Sequence, residues 1–129
     1  MKRSQPPAAH QQFTRRFAKL GKAWDLANAE AKAGPLDARA QRLVKLAVAA
    51  GAFRESAVHS AVRKGLDAGL TPAEMEQVVP LAATTIGFPA AVAVFGWIRE
   101  TLRADDGASS PARTRRQASG VSARCTPCR

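Results

Sequence analysis

The chain has 129 residues, of which 20 are basic and 10 are acidic, so its formal net charge is +10. Hydrophobic residues make up 46% of the sequence, which is too many for a disordered chain. Aromatic residues make up only 5%, and this disfavours a long β-sandwich or barrel. The length and the two cysteines exclude a large multidomain enzyme and a disulfide-stapled secreted module.

The basic residues are concentrated toward the two ends of the chain. Residues 1–22 carry a net charge of +6 and residues 105–129 carry +3, whereas the segment between them carries only +1. A protein that reads nucleic acid normally holds its basic residues on the folded face that docks phosphate. We therefore expect no specific nucleic-acid partner.

The first predicted element is a long amphipathic helix. Residues 1–10 are polar and contain proline, so they are expected to be disordered. In residues 11–33, apolar residues recur at helical spacing, while Arg15, Lys19 and Lys22 form a separate basic stripe. Docking to a membrane surface or an acidic partner is one interpretation of this pattern, but a helix packed on the core with a solvated basic face is preferred. The face predicted to be buried consists of Phe13, Phe17, Leu20, Trp24, Ala27 and Ala31.

Four further helices are predicted after the break at Gly34-Pro35, and together they define the fold class. Thr71-Pro72-Ala73-Glu74 has the residues of a capping box with proline in the first turn, which marks a helix start. No segment alternates like a strand, so the predicted fold is all-α, a compact bundle of about five helices spanning residues 11–104. Residues 105–129 are predicted to be a basic, disordered tail.

The longest uncharged stretch runs from Gln77 to Ile98. Its length would span a bilayer, but Ile86-Gly87-Phe88-Pro89 indicates a break between two shorter helices. The N-terminus shows no secretory signal pattern. We therefore expect no membrane span and a cytoplasmic location.

Three segments of the chain carry a family resemblance. The run from Gln41 to Ala50, the run from Ala61 to Glu74 and the turn from Ile86 to Ala91 resemble helices and turns of the carboxymuconolactone decarboxylase superfamily, which includes the alkylhydroperoxidase-D-like proteins. The resemblance extends from Leu36 to Ile98. It implies an all-helical subunit that assembles into a symmetric homo-oligomer of the trimer or hexamer type.

The residues that carry chemistry in peroxidatic members of this superfamily are replaced here. Those members use a Glu, a C-x-x-C pair and a His, and in register these positions fall on Arg42, Arg54, Ala57 and Ala61. Neither Ala nor Arg supplies the thiolate that attacks peroxide or disulfide. The resemblance therefore supports the fold and argues against thiol chemistry at the usual site. The histidine of the decarboxylase branch also falls on Ala61.

The remaining candidates for chemistry lie on one predicted helix face. Glu55, His59 and Arg63 follow one another at intervals of four residues. His59 is the candidate general acid or base, Glu55 can orient it, and Arg63 can hold a substrate carboxylate. The same three residues also fit a surface ladder of alternating charge, so both interpretations stay open.

Two arginines and two cysteines complete the candidates. If the family register holds, Arg42 and Arg54 would line a positively charged pocket that prefers anions, or they are simply solvated. Cys125 and Cys128 are preferably interpreted as an accidental dithiol in the tail, since too few other ligands accompany them for a zinc site. We expect no metal and no cofactor.

Three functions follow from these observations. The first is a small lyase or isomerase of the carboxymuconolactone decarboxylase type that acts on an organic carboxylate. The alternative is a non-catalytic oligomer that binds a small anion or a partner through Arg42 and Arg54. Thiol peroxidase activity is the third and the least supported by the residues.

Overall fold

A computed structural model describes residues 7–109 of the chain, with side chains described through residue 107. All regular structure in this range is helical, so the predicted all-α class is confirmed, whereas the predicted number of five helices is wrong. The helices are α1 (Ala8–Arg16), α2 (Ala18–Lys32), α3 (Ala38–Gly51), α4 (Glu55–Asp67), α5 (Pro72–Ile86) and α6 (Phe88–Ser109). The predicted disordered segments, residues 1–10 and 105–129, are described only in part, and there they are helical, since α1 begins at Ala8 and α6 continues to Ser109. The Cys125/Cys128 pair lies outside the described residues.

The additional helix arises because the predicted first helix is divided at Phe17. This residue has φ −118° and ψ 64°, outside the helical region, and it ends α1 and precedes α2. Its ring lies 5.1 Å from the ring of Phe13. The helices α1 and α2 approach each other at Gly21, where an added Cβ would meet the Cβ of Thr14 at 3.4 Å, an ordinary van der Waals distance. A helical hydrophobic period does not report a single non-helical residue, so the sequence pattern missed this division.

The hydrophobic core is formed by α3 to α6 alone. Helix α3 packs on α4 and α5, and α6 packs on the same two helices from the other side. Neither α1 nor α2 contributes a buried residue. We refer to α1 and α2 together as the N-terminal arm. The largest fully buried side chains are Leu46, Val58, Val62, Met75, Val94 and Ile98.

The buried face predicted for the first helix differs from the structure. The arm residues Phe13, Phe17, Leu20 and Trp24 were expected to face the core, but their exposed fractions are 49%, 46%, 55% and 59%. Periodicity identifies an apolar face but not what covers it, so the expectation of a core-packed helix was wrong. On α6, Val92 and Phe95 are also exposed, because another face of this helix packs on the core. That helix faces both α4 and α5 through Ala91, Val94, Ile98 and Leu102.

The uncharged stretch from Gln77 to Ile98 is interrupted where the sequence analysis expected it. Gly87 ends α5 with φ +86°, a left-handed conformation that glycine adopts without strain. The stretch is therefore divided between α5 and α6. Among the described residues, no helix combines the length and the apolar character that crossing a bilayer requires.

The start of α5 is tied to α3 by a polar network. Thr71 and Glu74 form the predicted capping box. Arg39 on α3 donates hydrogen bonds to the Gly69 carbonyl oxygen and to Glu74 Oε1. The pKa of Glu74 lies below its ordinary value of 4.5, mainly because the Thr71 backbone N–H donates to its carboxylate and further because Arg39 does. The ionised form of Glu74 therefore stabilises the junction of these helices.

This network predicts a specific loss of stability in acid. A group with a lowered folded-state pKa contributes stability above its unfolded pKa and loses that contribution as the pH falls through the folded pKa. We expect Glu74→Gln to lower the free energy of unfolding at neutral pH, and we expect its difference from the unmodified protein to shrink below pH 4.5. Urea unfolding at a series of pH values measures this, with the exposed Glu30→Gln as the matched control. A difference that is constant in acid would contradict the assignment.

Candidate functional site

His59 is held by a hydrogen bond between two helices. Its Nδ1 lies 2.5 Å from the hydroxyl oxygen of Thr101 on α6. The Thr101 hydroxyl donates its single hydrogen to the carbonyl oxygen of Trp97 at 3.0 Å. Its oxygen is therefore the acceptor from Nδ1–H of His59, and in the neutral imidazole Nε2 carries the lone pair. Thr101 is buried, so this anchor is shielded from water.

The free nitrogen of the imidazole, Nε2, has a carboxylate beside it. Nε2 lies 3.5 Å from Glu55 Oε1, one helical turn earlier on α4. Glu100 on α6 completes a group in which one ligand atom of each residue lies within 4.8 Å of the others. The orienting role was predicted for Glu55, but the hydrogen bond that orients the ring is made by Thr101. Glu55 instead lies beside Nε2.

Among the described residues, Glu55, His59 and Glu100 form the group whose geometry could hold a metal ion. One imidazole nitrogen and carboxylate oxygens are donors that divalent transition-metal ions accept. The sequence analysis, which expected no metal, did not find this group. Glu100 reaches it only because α6 packs on α4, and no local spacing in the sequence connects it to His59. Both Glu side chains are exposed.

Two shallow cavities adjoin His59. The first, about 550 Å³, lies at the start of α4 and includes Arg54 and Glu55. The second, about 300 Å³, lies between α4 and α6 and includes Arg63 and Glu100. Of the four other predicted site residues, Arg54, Glu55 and Arg63 thus lie around His59. The second cavity is lined by His59, Arg63, Glu100, Thr101, Ala104 and Asp105.

The turn before α4 contributes to the position of the first cavity. Phe53 has φ +52°, in the left-handed region that non-glycine residues seldom occupy. Its ring lies 4.8 Å from the ring of Trp97, which is partly buried against the core. Trp97 also accepts the hydrogen bond from Thr101. The same α6 residue therefore supports the turn at Phe53 and the anchor of His59.

Arg42, the fifth predicted residue, belongs to different surroundings. It lies near Lys32, Lys45 and Lys64, which we call the basic cluster together with Arg42. The pKa of Lys45 is lowered, first because burial disfavours its charged form and then because Arg42, Lys64 and Lys32 repel it. Arg54 instead lies at the cavity beside His59. The two arginines thus occupy separate surroundings, not a shared pocket around His59.

Two further positions align with the residues of the peroxidatic members, and they are Ala57 and Ala61 on α4. Both are partly buried and packed against the core. Residues 18–100 match the model of the carboxymuconolactone decarboxylase family. The chain belongs to this family. The resemblance seen in the sequence is therefore confirmed. The match covers α2 to α5 and much of α6 and leaves α1 outside.

Comparison with curated proteins and with solved structures finds no match. Within this carboxymuconolactone decarboxylase family member, the described residues contain no cysteine. The thiolate of the peroxidatic pattern is therefore not available from the described helices. The chemistry of the site has to be argued from His59 and the groups around it.

The anchoring of His59 predicts its tautomer. We expect the neutral ring to carry its proton on Nδ1, and we expect Thr101→Val to yield a mixture of tautomers because valine keeps the shape but removes the acceptor. The nitrogen chemical shifts of the imidazole report this in NMR spectra of labelled protein. His10, exposed on α1, serves as an internal control in the same spectra. A single Nε2–H tautomer of His59 in the unmodified protein would refute the anchor.

Proposed function

We propose that this carboxymuconolactone decarboxylase family member is a small lyase or isomerase that acts on an organic carboxylate, with His59 as general acid and base. The observation that carries the proposal is the Nδ1 anchor to Thr101, because it leaves Nε2 available at a cavity that Arg63 also borders. A histidine held at one nitrogen and accessible at the other is the arrangement that proton transfer requires.

A proton-transfer isomerisation balances on these residues alone. Nε2 takes a proton from the carbon beside a carbonyl or carboxyl group, and the electron pair of that C–H bond moves into the substrate as an enolate. The protonated imidazole then returns the proton to a different carbon. Glu55, at 3.5 Å from Nε2, is placed beside the proton while the imidazole holds it. The protein ends each cycle unchanged.

The charges around His59 define the orientation of the substrate. Glu100 and Asp105 line the α4–α6 cavity and repel an anion, whereas Arg63 attracts it. The substrate carboxylate is therefore placed at Arg63, and its reacting carbon at Nε2. Arg54 lies at the other cavity beside His59 and offers a second position for an anionic group. Arg42 contributes to the general positive field from the basic cluster.

The proposal predicts different kinetic effects for two variants. A screen of unsaturated and keto carboxylates for carbon dioxide release or double-bond migration, followed by NMR, identifies a substrate. For that substrate, we expect His59→Gln to lower kcat by about 100-fold or more, because general acid–base catalysis contributes on this order. We expect Arg63→Gln mainly to raise KM. Arg103→Gln, at an exposed position of α6 that lines none of the cavities beside His59, is the control, and an unchanged kcat for His59→Gln would exclude the acid–base role.

The second candidate function, a homo-oligomer that binds an anion or a partner without catalysis, is favoured by exposed apolar residues on the bundle. A groove of about 680 Å³ between α3 and α5 is lined by Val44, Leu81 and other mainly apolar residues. Self-association would remove such surface from water. A trimer or hexamer is proposed on this basis. The large exposed apolar residues of the bundle are Val44, Val48, Phe53, Leu81, Phe88, Val92 and Phe95.

The oligomer proposal is tested at α5. Leu81 has an exposed fraction of 69%, so Leu81→Asp leaves the core of a single subunit intact. We expect it to shift the protein toward a smaller species, because an interface that buries Leu81 would then bury an unpaired charge. Sedimentation velocity measures the change, and Ala73→Asp in the exposed first turn of α5 is the control. An identical mass for the Leu81→Asp variant and the unmodified protein would place the interface elsewhere.

A further inference from the structure

The N-terminal arm and α4 border a further, partly open cavity, which we call the arm cavity. Its volume is about 730 Å³, within the range of roughly 300–1,000 Å³ that is typical of small-molecule sites. It lies on the opposite flank of Arg63 from the His59 cavities, since Arg63 lines both this cavity and the α4–α6 cavity. Its walls are Pro7, His10, Phe13, Thr14, Leu20, Gly21, Ala23, Trp24, Ser60, Arg63 and Lys64.

The wall formed by the arm is apolar and its large side chains are incompletely covered. Phe13, Leu20 and Trp24 each leave about half of their surface exposed although they line a concavity. Both helices of the arm contribute to this wall, with Phe13 on α1 and Leu20 and Trp24 on α2. An apolar ligand that entered the cavity would remove this surface from water, at roughly 25 cal/mol for each Å² buried.

The wall formed by α4 is cationic. Arg63 and Lys64 are both exposed there, and among the described residues that line the cavity none is acidic. This distinguishes the arm cavity from the two cavities beside His59, which contain Glu55 or Glu100. The basic cluster adds to the field, because Lys64 is one of the cations that lower the pKa of Lys45. An anionic group is therefore favoured at this wall.

We propose that the arm cavity binds an amphipathic carboxylate. The apolar body of the ligand lies against Phe13, Leu20 and Trp24, and its carboxylate lies between Arg63 and Lys64. An apolar wall beside two cations, with no acid among the described lining residues, selects a small molecule that has both an apolar body and an anionic end. Since α1 lies outside the residues that match the family model, four of the eleven residues that line this site come from a part of the chain that the family match does not include.

The inference rests in one respect on the proposed function. If His59 acts on a carboxylate, Arg63 is the residue at which the two sites meet, and the ligand of the arm cavity is then an apolar member of that substrate class. Binding is nevertheless measured without turnover. The variant His59→Gln is expected to bind the ligand with an unchanged Kd even where it turns over no substrate, so failure of either proposal is recognised separately.

The experiment uses the intrinsic fluorescence of Trp24. The sequence contains two tryptophans, and Trp97→Phe leaves Trp24 as the only one. Titration of the full-length chain with octanoate is expected to shift the emission of Trp24 to shorter wavelength as water leaves its ring. The uncharged isostere octanamide is the matched ligand, and we expect it to bind about tenfold more weakly because it lacks the charge-assisted contacts.

Substitutions in each wall distinguish the contribution of the cationic wall to binding from that of the apolar wall. The double substitution Arg63→Gln, Lys64→Gln, at exposed positions of α4, is expected to raise the Kd of octanoate about tenfold, to the value for octanamide, and to leave octanamide unaffected. Phe13→Ser is expected to weaken both ligands by the same factor. Arg103→Gln, which removes one positive charge on α6, is the control and should alter neither ligand.

Three results would overturn the proposal. The first is no change in Trp24 emission at millimolar octanoate, and the second is equal binding of octanoate and octanamide. The third is a shift in Trp24 emission that depends on protein concentration but not on octanoate, which would mean that a second copy of the chain occupies the cavity.

Discussion

The packing of α4 against α6 is the constraint on which the candidate site depends. Both helices bury aliphatic residues in one core, with Val58 and Val62 on α4 and Val94 and Ile98 on α6 fully enclosed. His59 follows Val58 directly on α4, so it emerges at the edge of this core, where Thr101 of α6 meets its Nδ1. The hydrophobic packing of α4 on α6 thus sets the positions of the two residues that form the His59–Thr101 hydrogen bond. A shift of α6 along its axis by one helical turn would separate Thr101 from the imidazole by about 5 Å.

Local chemistry allowed much of the fold to be predicted. The capping box at Thr71 and Glu74 and the break at Gly87 were recognised because each depends on a few adjacent residues with a specific backbone requirement. Glu55 and His59 were recognised because four residues bring side chains to the same helix face. These features need no knowledge of tertiary structure, and this is why sequence reasoning reached them.

The parts of the candidate site that were not predicted depend on which helices pack against each other. Thr101 and Glu100 join His59 only through the α4–α6 contact, which no spacing in the sequence reveals. The arm shows the converse error, in which a contact is predicted from the sequence and is not made within the subunit. Its apolar period predicts a buried face, yet Phe13 and Trp24 remain half exposed because no helix of the same subunit covers them. Hydrophobic periodicity shows that a helix has an apolar face, but it does not show whether another element packs on that face.

Charge divides the surface of α4 into two flanks that meet at Arg63. On the flank that faces α6, Arg63 stands opposite Glu100 and Asp105, and a carboxylate there has one cation and two anions as neighbours. On the flank that faces the arm, Arg63 and Lys64 act together and are opposed by no acid among the described lining residues. An anion therefore has its lower electrostatic energy on the arm side of Arg63. A ligand whose carboxylate lies at this boundary can direct an unsaturated or keto carbon toward Nε2 of His59 while its apolar part remains against Trp24. With a substrate carboxylate bound at Arg63 as proposed above, the arm, which contributes nothing to the core, would help to determine which carboxylates reach the imidazole.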